Sequence, residues 1–218
     1  TVADFSQVLE DWNRRSEEVR ECVRMFRDIR YGSGERELID IASAAEPGSP
    51  LLAFFHGGYW QGLDRKVFHF IAEGFVEQGI TVALVNYPLA PDATVDEIME
   101  SCRKAIVTLY RHAADYHCRD DGLFVFGHSA GGQIAAMLLA TDWNRMAEGL
   151  PKDLVTGGCA LSGLFDLEPI RLSYLNKVLG MKEDEARRNS PLNLAPACNS
   201  PFIVAVGELE SDEFHAQS

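Results

Sequence analysis

The sequence predicts an α/β chain, with a mostly parallel central sheet and helices on both faces. Three observations carry that prediction. Short apolar runs alternate with stretches of helical spacing along the chain. The run "ITVALVNY" at 80–87 is nearly unbroken β-branched and apolar residues, as a strand covered on both faces requires. A third stretch, "LFVFGHSAGGQIAAMLL" at 123–139, passes from an apolar run through a glycine-flanked serine straight into a helical period.

The elements follow in order. Phe5, Val8, Leu9 and Trp12 fall at i, i+3, i+4 and i+7, and Val19, Cys22, Val23 and Phe26 continue the stripe. An amphipathic helical segment is therefore expected over 1–29, ending near "YGSGE". It either packs on the body or serves as a mobile lid. "ELIDIAS" (37–43) and "PLLAFFHGG" (50–58) read as strands, the second closed by glycines. Asp64 to Gly79 has helical spacing and leads into the 80–87 run. Val95, Ile98, Met99, Cys102, Ile106, Leu109 and Ala113 mark a long amphipathic helix. Then come "LFVFG", a helix from Ala130, and strands "GGCALSG" (157–163) and "PFIVAVG" (201–207). The irregular 164–200 stretch is a cap-like excursion at the strand ends, where open α/β sheets bind ligands.

At 218 residues the chain is expected to form a single domain. A formal net charge of −13 disfavours nucleic acid and anionic membrane surfaces as partners. The expected partner is a small-molecule substrate, and a homodimer is left open. Cys22, Cys102, Cys118, Cys159 and Cys198 are odd in number and far apart, which suits mostly buried thiols in a reducing compartment. There is no apolar run of membrane-spanning length and no basic-then-apolar leader pattern, so a cytoplasmic protein is expected. Thr1 is not an initiator residue, so the start is expected to be trimmed or processed. No His or Cys pairs stand at ligand spacing and no dinucleotide loop follows a strand, so neither metal nor cofactor is expected.

The chemistry lies at the turn. A serine hydroxyl is a poor nucleophile until it is presented to a base and a polarised carbonyl. A sharp strand-to-helix bend does this for Ser129, with Gly127 and Gly131 removing the Cβ atoms that would crowd it. Acyl transfer also needs donors aimed at the developing oxyanion. In "FFHGGYW" (54–60) a strand runs into Gly57 and Gly58, whose amides can serve, with Ala130 at the helix start supplying another.

"HGGYW", "NYPLAP", "GHSAGG" and "GELESDEFHAQS", in that order, resemble the α/β-hydrolase superfamily, and within it the arylformamidases (kynurenine formamidases) and their esterase relatives. The likeness runs from about residue 30 to the end and implies an α/β-hydrolase fold. It makes Ser129 the nucleophile, puts Gly57 and Gly58 in the oxyanion hole, and puts the triad acid at Glu210, four residues before the Phe of "EF". Asp212 is the rival acid.

The fold's order of serine, acid, histidine asks for a base after the acid. Only His215 follows, on an expected helix that begins at Ser211. The resemblance places the catalytic histidine further on, so the chain is expected to be C-terminally incomplete, lacking a last strand, the histidine and a helix beyond Ser218. It is then expected to be nearly inactive by itself. His56 would order the oxyanion turn, His128 would point away from the serine, and His69, His112 and His117 would sit at surfaces or helix ends.

Tyr59 and Trp60 follow the oxyanion glycines, and either line the substrate pocket or pack beneath the cap. Aromatic walls and the resemblance together imply hydrolysis of N-formyl-L-kynurenine to L-kynurenine and formate, a step of tryptophan catabolism, through a formyl-serine. The alternatives are a general short-chain carboxylesterase and a non-catalytic small-ligand-binding protein of the same fold.

Overall fold

The computed structural model describes residues 4–195 and 199–218. Thr1 and Cys198 lie outside the described residues. Helix α1 (Phe5–Cys22) starts at Asp4, whose side chain accepts from the Gln7 amide. It stops earlier than its stripe suggests, because Met25–Arg30 is strand β1. That segment pairs antiparallel with β2 (Leu38–Ala42), joining Met25 to Ala42 and Arg30 to Leu38. Ladder bonds and the Phe26 ring packed edge-on against Tyr116 hold Phe26 in the sheet, overriding its helical spacing.

Strands β3 (Ser49–Phe55), β4 (Thr81–Val85), β5 (Cys118–His128), β6 (Gly157–Leu161) and β7 (Phe202–Ala205) complete one sheet, ordered β1-β2-β4-β3-β5-β6-β7. β1, β2 and β4 pair antiparallel; every pairing from β4 across to β7 is parallel. All of β4 is buried, as its unbroken apolar run requires.

Side chains alternate between two cores. Leu51, Ala53, Phe55, Ala83, Val85, Leu123 and Val125 face helices α3 (Val95–Arg111) and α4 (Ala130–Leu139). Leu52, Phe54, Val82 and Leu84 face α1 and α2 (Phe70–Val76). α3 opens with a capping box, Thr94 bonding the Glu97 amide and Glu97 bonding back to Thr94. After α5 (Trp143–Met146) and β6, the excursion contains α6 (Glu168–Leu172), α7 (Asn176–Leu179) and α8 (Glu183–Arg188). It is tied down: the buried Glu185 accepts from the Val95 amide at 3.0 Å, and Asn189 donates to Asp96 at 2.7 Å. α9 (Asp212–Gln217) closes the described chain, and its Gln217 side chain accepts from the Phe165 and Asp166 amides at 2.8 and 2.9 Å.

Of the described cysteines, Cys102 and Cys118 are buried, Cys159 is half-buried and Cys22 is exposed. Among the described residues no helix is long and apolar enough to cross a membrane.

Candidate active site

The tips of β3, β5, β6 and β7 bring the predicted residues to one edge of the sheet. Ser129 ends β5 and begins α4 with φ 57 and ψ −119, a conformation few L-residues adopt. Its amide donates to the Leu161 carbonyl at 2.9 Å, and its own carbonyl accepts from Gly132 at 2.9 Å. The bend is possible only without side chains on either flank. A Cβ at Gly127 would stand 1.9 Å from the Gly131 carbonyl oxygen, and one at Gly131 1.9 Å from that of Phe55. The serine is half-buried, and its hydroxyl makes no hydrogen bond among the described residues.

Gly57 lies against this turn. A Cβ there would be 3.0 Å from the His128 carbonyl and 3.1 Å from Ser129 Cβ. Gly58 has φ 114, and a side chain on it would meet the Gly62 carbonyl at 2.5 Å. The amides of Gly57, Gly58 and Ala130 donate to no group among the described residues. The loop is held from behind: Tyr87 donates its hydroxyl to the His56 carbonyl at 2.6 Å, and the His56 ring stacks on Tyr87 at 4.4 Å. Burial pushes His56 down to about 4, against its hydrogen bond to the Gly57 carbonyl, so the ring is neutral at physiological pH.

Glu210 is half-buried and accepts from the Ser162 hydroxyl and from the Gly207 amide at 3.2 Å. Its charge reaches His128 and Tyr59, opposing the burial that lowers the first and adding to the burial that raises the second. Asp212 is exposed and makes no side-chain hydrogen bond among the described residues. Ser162 escaped the sequence reading; its signal is a small polar residue directly after β6, level with the elbow.

Ser129 opens into a cleft of about 450 Å³ lined by Gly57, Gly58, Tyr59, Leu63, His128 and, from α1, Phe5 and Trp12. Tyr59 is thus on the cleft. Trp60 is not: it is wholly buried in the main core, which corrects the expectation that it meets substrate. Both residues have positive φ, so the chain reverses between them and sends the indole inward. His128 was expected to point away, yet it lines the cleft. His215 is exposed on α9.

His69 stands at a helix end, capping the start of α2, and is fully buried there, its Nε2 2.9 Å from Asp40 and its Nδ1 3.0 Å from Arg20. Arg65, equally hidden, meets Asp40 at 2.9 Å and also pairs with Asp28. Burial works to raise Asp40, but His69, the Asp28 amide and Arg65 together hold it below the usual carboxylate range. Among the described residues no group of three His, Cys, Asp or Glu is placed to hold a metal.

The sheet order, the strained serine turn and the neighbouring glycine loop define an α/β-hydrolase. The BD-FAE family model matches residues 39–214, and the chain belongs to that family. It is 35% identical over 210 residues to the kynurenine formamidase of Danio rerio, covering 93% of this chain and 69% of that one. The kynurenine formamidase of Salmo salar is 34% identical over the same shares. Among solved structures, a putative thioesterase from Silicibacter sp. superposes with TM-score 0.88 at 25% identity, over all of this chain and 80% of that one. Esterase B of Lactobacillus rhamnosis, inhibited by a tributyrin phosphonate, has the same fold, with TM-score 0.79 at 18% identity over 99% and 75% of the two chains.

Proposed function

We propose that Ser129 is the nucleophile of a formamidase acting on N-formyl-L-kynurenine. Its hydroxyl attacks the formyl carbon, the aniline nitrogen leaves with a proton, and water then releases formate from the formyl-serine. Gly57, Gly58 and Ala130 donate their amides to the oxyanion, and Glu210 orients the base histidine. Tyr59 borders the leaving group.

The observation that carries this reading is the half-buried Ser129 hydroxyl beside main-chain donors with no other acceptor. The likeness to kynurenine formamidases supports the choice of acyl group. Glu210 is favoured over Asp212 because Ser162 and Gly207 hold its carboxylate. Among the described residues no histidine is hydrogen-bonded to Ser129.

The test compares N-formyl-L-kynurenine with short p-nitrophenyl esters as substrates of the purified protein. The expected result is a higher kcat/KM for the formamide. Strong preference for the esters would replace the formamidase reading with a carboxylesterase. Failure of a fluorophosphonate to label Ser129 in that protein would leave a ligand-binding one.

A further inference from the structure

We propose that α1 supplies the wall of the cleft that receives a flat aromatic leaving group, through Phe5 and Trp12. The inference rests on the hydrolase reading of Ser129 and deepens it. A formyl carbon fills almost none of a cleft of about 450 Å³, so that volume belongs to the other half of the substrate. Gly57 lies close against Ser129, where a Cβ on it would stand 3.1 Å from Ser129 Cβ. The opposite side is built from rings.

Those rings form a continuous column. Tyr87 stacks on His56 at 4.4 Å, His56 on Phe68 at 5.8 Å, Phe68 meets Trp12 at 5.4 Å, and Trp12 meets Phe5 edge-on at 6.4 Å. The column runs from the oxyanion turn to the first turn of α1. Phe5 is 48% exposed at its end, an apolar ring facing the cleft with half its surface uncovered. Aromatic faces and edges of this kind favour another ring by offset stacking.

α1 is fixed where it must be rigid. Ser16, wholly buried, donates to the Val67 carbonyl at 2.8 Å and accepts from the Phe70 amide at 3.1 Å. Arg20 donates to the Lys66 carbonyl at 3.0 Å. Trp12 also stacks on Phe70 at 5.8 Å, with Arg15 over the same ring at 4.8 Å. Trp12 is therefore held from behind and presents its remaining surface to the cleft. The other two tryptophans, Trp60 and Trp143, are buried.

The test is equilibrium binding to the full chain carrying Ser129→Ala, so that no turnover intervenes. The ligands are formanilide, its saturated analogue N-cyclohexylformamide, phenyl acetate and N-formyl-L-kynurenine. Adding Trp12→Ala is expected to weaken formanilide on the order of tenfold and the cyclohexyl ligand by under about twofold. Trp12→Phe should restore most of the loss. Phe5→Ala, at an exposed position, should weaken formanilide without lowering the unfolding midpoint, which separates wall from scaffold. Unchanged formanilide binding in both alanine variants, equal losses for both formamides, or no binding of any aromatic ligand would overturn the wall. Trp12-dependent binding of phenyl acetate with no binding of either aromatic formamide would keep the wall and sink the formamidase reading.

Discussion

Gly131 lies directly beneath the carbonyl of Phe55, so close that a methyl group at position 131 would stand 1.9 Å from the oxygen. The contact locks the first turn of α4 onto β3 and thereby sets where Ser129 projects. Gly131→Ala is expected to cost at least about 3 kcal/mol, since backbone rather than a flexible side chain must yield. Gly74→Ala is the control: it lies in α2 with nothing within 4 Å, and should stabilise by up to about 1 kcal/mol. Urea unfolding at neutral pH measures both, and an unchanged midpoint for Gly131→Ala would mean the turn is not closed as described.

His56 makes stability depend on mild acid. The unfolded chain takes up this proton near pH ~6.5, whereas burial delays it in the folded chain to about 4. The stability is therefore complete above the unfolded value and is lost as pH falls through that window, roughly 3 kcal/mol in all. His128, also lowered by burial, adds in the same direction. Unfolding midpoints taken between those limits should decline steadily, and His56→Phe, which fits between the Tyr87 and Phe68 rings, should flatten the slope. A slope unchanged in that variant would assign the proton elsewhere.

Asp40 governs a second, more acidic window. Its carboxyl and that of Asp64 titrate below the usual range in the folded chain, against the burial that would raise them. Their contribution is present above the ordinary carboxylate value of about 4 and lost below it. Asp40→Asn leaves the buried Arg65 beside a neutral amide and should cost about 3 kcal/mol or more at pH 7. Thermal melts of the two proteins should converge as the pH is lowered; a constant gap would contradict the charge pairing.

Glu210 and Asp212 are separable by turnover. On the formamidase reading, Glu210→Gln should lower kcat for N-formyl-L-kynurenine by roughly three to four orders of magnitude. Asp212→Asn should change it by less than about threefold, as an exposed surface substitution does. The reverse ranking would exchange the two roles.

The sequence by itself determined the parallel sheet and the serine turn, because both are written in local patterns. An unbroken apolar run such as 80–87 can be covered only from both faces, and Gly127 and Gly131 leave room for a tight bend at Ser129 between a strand pattern and a helical one. Gly57 and Gly58 were legible beside it for the same reason. Contacts between distant segments decided the rest. Pairing with 38–42 turned Met25–Arg30 from expected helix into strand, and a reversal of φ at Tyr59 and Trp60 sent one ring to the cleft and the other into the core. Ser162 met Glu210, Arg20 and Asp40 enclosed His69, and α1 came to rest beside Ser129. No residue spacing encodes such meetings; they arise when the two faces of the sheet are filled and buried polar groups find their partners.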